Sequence, residues 1–336
     1  LAFCSRAALS ANTPVTLGHL NSGNDDTVLE VPRAAAGDQV VLTPAITLGT
    51  LASGSTSRAV VRYTGLSNGS TITNGAASVN GTTNLNGRDL YLENTSHLTG
   101  GTTRLWNFQS AISGTGNVRV VGGSNPNGST NGGPRIRIQS TANNWTGDLY
   151  LERGELQIGF TAQVIPDNSL AIFYPGTRMT MGNTAETIRG MVGGGATEAI
   201  PFNSDFASNT GNTSTVRVTL TDTNAANTHV YNGAISNGSP GFMAVTKAGA
   251  ATQVFNGPCS YTGTTLVTAG RLVVNQAFTS AVTVSGGATL GGVMTSTTSV
   301  TATASGARVA PGYPIGTMTA ASANLSTGGI LDIEVN

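Results

Sequence analysis

Apolar and polar residues alternate along this chain in short runs, each closed by glycine, proline or a small polar residue. Thr27-Val28-Leu29-Glu30-Val31, Gln39-Val40-Val41-Leu42, Ala59-Val60-Val61-Arg62-Tyr63, Asp89-Leu90-Tyr91-Leu92-Glu93 and Val216-Arg217-Val218-Thr219-Leu220 carry the pattern. A period of two places apolar side chains on one side of an extended strand and polar ones on the other. No stretch keeps apolar residues at i, i+3 and i+4 without Gly, Asn or Thr intervening, so helices are not expected. Over 245–330 the unit becomes regular: a strand, a glycine turn, another strand. It runs through Tyr261 to Val274, again through Ala281 to Leu290, and again through Ser299 to Gly312. This recurrence predicts an all-β fold, a single-stranded parallel β-helix (β-solenoid), in which each coil buries its apolar side against the one before. Val, Ile, Leu and Ala are expected inside and Thr, Ser and Asn outside, with glycine where a corner needs positive φ. At roughly 20–25 residues per coil, the chain makes roughly 13–16 coils and a rod of about 65–75 Å.

The pattern divides the chain. Residues 1–24 read as an N-terminal extended arm or cap, with Val15, Leu17 and Leu20 as its apolar positions and Pro14 placing it at an edge. Repeats occupy 25–336, with an irregular middle at about 160–206 and the strongest units at about 225–336. Residues 122–133 contain no apolar side chain and read as a protruding loop.

The segment Thr246-Lys247-Ala248-Gly249-Ala250, through Tyr261-Thr262-Gly263 to Ala269-Gly270-Arg271-Leu272-Val273, resembles the passenger-associated repeat of bacterial autotransporters. Val309-Ala310-Pro311-Gly312 to Gly316-Thr317-Met318 and Gly328-Gly329-Ile330-Leu331 are similar to that family's closing motifs. Asn144-Trp145-Thr146-Gly147 to Ile158-Gly159 looks like a weaker copy, and Ile112-Ser113-Gly114 and Gly233-Ala234-Ile235 look like its linking unit. Ala251 and Pro258-Cys259 depart from the pattern. The resemblance implies a parallel β-helix at the cell surface or outside a bacterial cell. It implies no catalytic residue, because the motif is a folding unit.

Composition narrows the function. Charged residues are 10% of the 336, and the 45 glycines are well above the usual share, while net charge is zero. Abundant Val, Ile and Thr favour strands over disorder. No basic run exists to neutralise phosphates, so nucleic acid is not an expected partner. No apolar run is long enough for a membrane span.

Candidate chemistry is sparse. Asp148, Glu152, Arg153 and Glu155 lie close together, as the acid and base groups of a β-helix polysaccharide lyase or hydrolase would, but they read as solvent-facing charge beside a turn. Asp222 and His229 flank a polar loop. His19, His97 and His229 show no metal-ligand spacing. No catalytic residue, metal or cofactor is expected. Trp106, Phe108, Trp145 and Tyr150 could form a sugar-stacking strip but read as core or corner residues. Cys259 stands at a turn position of the repeat and is expected near the surface. With Cys4 it forms a possible disulfide, within one chain by a returning arm or between subunits; two free thiols is the alternative.

The closing stretch Ile330-Leu331-Asp332-Ile333-Glu334-Val335 reads as a strand and not as a cap. A strand edge invites another strand. The leading expectation is therefore a non-enzymatic, secreted subunit of an extracellular filament. It joins itself head to tail through Ile330, Leu331, Ile333 and Val335 at one end and Val15, Leu17 and Leu20 at the other. A monomeric passenger or adhesin stalk is the alternative, with cell-surface or matrix polysaccharide as a further partner.

Overall fold

The computed structural model describes residues 14–17, 26–31, 40–42, 44–51, 56–64, 77–95, 104–122, 134–159, 163–182, 185–195, 205–208, 215–238, 241–312, 315–325 and 328–333. Among them are strands and turns but no helix. Correspondingly, no helix there is long and apolar enough to cross a membrane. The strands pair in parallel and form sheets of thirteen, eight, seven, five and two strands.

The chain visits these sheets in a fixed rotation. Val15–Leu17 lies in the five-stranded sheet, Thr27–Val31 in the thirteen-stranded one and Val40–Leu42 in the eight-stranded one, and Ile46–Leu48 returns to the first. From Glu186–Ile188 onward the seven-stranded sheet takes the place of the five-stranded one, and the rotation continues through Gly190–Gly193, Asp205–Ser208 and Thr215–Leu220. Circuit length varies along the chain: 32 residues between Asp26 and Arg58, 22 between Asp148 and Leu170, 33 between Ile188 and Thr221, and 19 between Asn256 and Asn275. The expected 20–25 residues per coil therefore holds for only some circuits, and others are longer or shorter. Much of the additional length falls in 65–76, 96–103 and 123–133, between strands and outside the described residues. Thirteen strands at the parallel spacing stack to about 60 Å.

Alternation decides what faces inward. Thr215–Leu220 alternates outward and buried positions throughout. Along the thirteen-stranded sheet, Ala59, Leu90, Val118, Leu149, Ala171 and Met191 lie in one register column, and all are buried. Burying each such side chain is worth about 1.5–3 kcal/mol for the larger ones. Aromatic residues fill the wider circuits. Tyr63 stacks on Trp106 at 6.4 Å, and Trp106 meets Phe108 edge-on at 6.0 Å.

Outward side chains also stack, circuit on circuit. Asn256 donates its amide to Asn232 at 2.9 Å, and Asn275 donates to Asn256 at 2.8 Å. Charges alternate in sign along the stack: Arg62 lies between Glu30 and Glu93, and Arg119 between Asp89 and Glu152. At one corner, Asx side chains replace the ladder. The Oδ1 atoms of Asp89, Asn117 and Asp148 accept from the backbone N–H of Asn117, Asp148 and Leu170 in the next circuit.

Glycine at the corners answers a need for space as much as for φ. A Cβ on Gly257 would lie 2.1 Å from the Gly233 carbonyl oxygen, although its φ is ordinary. Gly287 has φ +75 and open space around it. Gly257→Ala must push two circuits apart and is expected to cost about 3 kcal/mol. Gly287→Ala pays only for the left-handed backbone, about 1–2 kcal/mol. Denaturant midpoints of the two variants check the order; equal losses would show that the circuits are loosely stacked at Gly257.

Candidate assembly interface

Ile330–Leu331 is the final strand of the thirteen-stranded sheet. It pairs with Arg308–Pro311 through Arg308↔Ile330 and Val309↔Leu331, and among the described residues its other edge carries no strand. Ile330, Leu331 and Ile333 are 37%, 49% and 63% exposed, and Val293 and Ile315 add exposed apolar surface within the last few rungs. Arg308 reaches Asp332 at 3.2 Å, a solvent-exposed pair that contributes little stability.

At the opposite edges, Val15–Leu17 pairs with Ile46–Leu48 and belongs to the first rung, with Leu17 buried and Val15 half-buried. Thr27–Val31 is the other end strand of the thirteen-stranded sheet. Followed pair by pair, the register carries Thr27 through Ala59, Leu90, Val118, Leu149, Ala171 and Met191. Beyond Gly193↔Tyr231 the same column continues through His229, Gln253, Leu272, Leu290 and Val309 to Leu331. Leu331 therefore lies on a column whose members face the interior. Leu20, Val335 and Cys4 lie outside the described residues.

Cys259 corrects the expectation of a surface turn. It is fully buried and free, bridging Ile235 and Phe278 in a line that continues the eight-stranded sheet. The signal was present in the spacing. Ile235, Cys259 and Phe278 recur at the intervals of Tyr231, Phe255 and Val274, which pair or stack in register. Burial pushes the Cys259 thiol well up, away from the reactive thiolate.

The four charged residues grouped in sequence separate in space. Asp148 accepts from Leu170 and pairs with Arg189 at 2.8 Å, and Glu152 pairs with Arg119 at 2.7 Å. Glu155 turns onto the eight-stranded sheet, where it meets Arg135 at 2.9 Å and Thr180 at 3.0 Å. Trp106, Phe108 and Trp145 are core residues, so no sugar-stacking strip forms from them. Tyr150 faces outward, but the Arg119 guanidinium covers its ring at 4.0 Å and also approaches the Tyr91 ring at 5.6 Å.

Asp222 and His229 do come together. His229 Nε2 lies 2.6 Å from Asp222 Oδ2, which also accepts from Asn227 at 2.9 Å. Burial raises the Asp222 carboxyl, but the bonds from Asn227, Asn224 and His229 outweigh this and hold it below its usual value. Beside them is a residue that sequence reading passed over. Lys247 is the only lysine in the chain, is 2% exposed, and follows Leu220 and precedes Val267 on an inward column. Its ammonium donates to Gly249 O and to Ala269 O at 3.2 Å, and burial pushes it down to about 8. Among the described residues no group of three His, Cys, Asp or Glu side chains is placed to hold a metal ion.

In comparisons with known proteins, no protein-family model, no curated protein and no solved structure matches this chain.

Burial of Cys259 gives a direct check. In the native protein a maleimide should modify it on the order of a hundredfold more slowly than in denaturant, where thiol access and thiolate formation return to normal. Rapid native labelling would mean that the line from Ile235 to Phe278 is open to solvent.

Proposed function

We propose that this chain is a structural β-solenoid, an extracellular rod that assembles head to tail as a filament subunit. The observation that carries this reading is the fixed rotation of the chain among parallel sheets, ending in a thirteen-strand ladder with apolar side chains at one rim. A parallel stack can grow by one more rung without altering what lies beneath it, because each circuit contacts only its neighbours. A second copy offers such a rung: Thr27–Val31 alternates as Ile330–Leu331 and its flanks do, with Leu29 and Val31 facing inward. Stacked in register, Leu331 meets the Thr27 position and Ile333 the Leu29 position. A contact between different ends repeats without closing, which makes a fibre.

The outward chemistry supports a mechanical role over a catalytic one. Arg58, Arg62, Arg119 and Arg189 are engaged in ion pairs between circuits, which hold rungs together. The resemblance of residues 225–336 to autotransporter passenger repeats supports an extracellular setting. It also favours a second reading, a monomeric passenger or adhesin stalk whose next rung comes from further residues of the same polypeptide.

Sedimentation and electron microscopy of the 336-residue chain separate the two. Filaments with a repeat near the rod length are expected, and Leu331→Asp with Ile333→Asp should weaken self-association by at least about a hundredfold, since two buried charges replace apolar contacts. Short rods that stay monomeric at every concentration would overturn the filament and favour the stalk. Cleavage of polysaccharide by the purified chain would overturn both.

A further inference from the structure

Two of the three walls change character across the same few circuits. The five-stranded sheet ends at Asn144–Trp145, and the seven-stranded sheet begins at Glu186–Ile188. Among the described residues no backbone ladder joins them; one backbone bond, from Gln163 N to Ala185 O at 3.4 Å, is present, and side chains make the others. Asn143 accepts from Ile112 N at 2.8 Å and donates to Val164 O at 2.8 Å. The Glu186 carboxylate, fully buried, accepts from Val164 N at 3.0 Å and Ile165 N at 2.6 Å. Gln163 accepts from Thr187 N at 2.8 Å, covering the edge of the new sheet.

The thirteen-stranded sheet parts one circuit further on, just after the seven-stranded sheet has begun. Gly190–Gly193 and Thr228–Tyr231 share a single register pair, Gly193↔Tyr231. The Gln253 side chain fills the opening from the following strand. It accepts from Met191 N at 3.1 Å and donates to Met191 O at 2.9 Å and His229 O at 3.1 Å. The His229 ring lies where a side chain on Gly190 would stand: a Cβ there would fall 2.6 Å from its Cδ2. The eight-stranded sheet keeps backbone register past both breaks, from Glu155–Ile158 through Arg178–Met181 and Asp205–Ser208 to Ile235–Ser236.

We propose that this zone is a joint, which opens as a local unit before the stacks on either side and whose opening is governed by ionisation of Glu186. A nearest-neighbour stack opens where its interface is weakest. A side-chain amide or carboxylate that substitutes for a ladder bond must also freeze its own rotamers, a cost the backbone ladder does not carry.

The direction with pH follows from the Glu186 site. Burial pushes its carboxyl up to about 7, against the bonds from Val164 and Ile165, with the charge of Asp167 adding to the rise. The closed joint thus holds the proton more tightly than the open one. Closure is favoured most below the ordinary value of 4.5 and weakens as pH rises to about 7, then levels. Among the described residues, the other charges at the joint are the Asp222 and His229 pair, Lys247, and the Arg189 and Asp148 pair. Asp222 acts oppositely: its depressed carboxyl supports closure above its usual value and loses this as pH falls through the depressed one.

Hydrogen exchange of the full chain, read by mass spectrometry from pH 5 to 8.5 and corrected for intrinsic rates, tests the joint. Amides of Val164, Ile165, Thr187 and Met191 should be at least about tenfold less protected than those of Val118–Val121 and Arg271–Val274. Their opening should rise by about tenfold per pH unit up to about pH 7 and then level. Glu186→Gln should flatten that dependence while preserving the protection of both flanks. Gln253→Leu should raise exchange at Met191 and spare Val118–Val121. Equal protection across the boundary, or the same pH profile in the wild type and Glu186→Gln, would overturn the joint. If neither variant folds, the wild-type profile decides alone.

Discussion

Parallel, in-register stacking is the constraint from which the other features follow. When every circuit repeats the path of the last at about 4.8 Å, each side chain sits directly on the one a circuit earlier. Identical neutral amides gain from this, as Asn232, Asn256 and Asn275 do by bonding in series. Identical charges would repel, and the stack avoids that by alternating Glu30, Arg62 and Glu93. Backbone from successive circuits also converges at the corners, where Gly249 and Gly257 leave room for the carbonyls of Asp222 and Gly233.

Much of this was legible in the sequence. Period-two alternation marks Thr27–Val31 and Thr215–Leu220 because one face of a strand is buried and the other wet. The parallel arrangement was legible through the recurrence of a unit too small to bury its own apolar face. Circuit length was less so. Corner loops add residues without altering strand register, so a coil of about 30 residues and one of about 19 visit the same three walls. Cys259 was misplaced because it stands where the repeat pattern has a turn residue, whereas its register with Ile235 and Phe278 makes it core.

Polar residues on inward columns were the least legible. Lys247, His229 and Gln253 occupy positions that alternation assigns to apolar side chains. Pattern alone treats them as exceptions. In space Lys247 and Gln253 satisfy backbone groups at a corner or a parting of the sheet, and His229 bonds the Asp222 carboxylate; these are tertiary needs with no local signature. Of the strand expected from Ile330 to Val335, Ile330–Leu331 is strand, while Asp332 and Ile333 lie past its end.

Lys247 has one more consequence. Since it is the chain's single lysine and is enclosed, every surface cation on a side chain is a guanidinium or an imidazole. Guanidinium stays charged far into alkali, so the links between circuits that use Arg58, Arg62 and Arg119 keep their strength where ammonium groups would fail. The folded exterior also presents no side-chain amine to aldehydes, activated esters or amine-directed cross-linking enzymes. Reagents that target lysine would pass the rod by until its wall came apart.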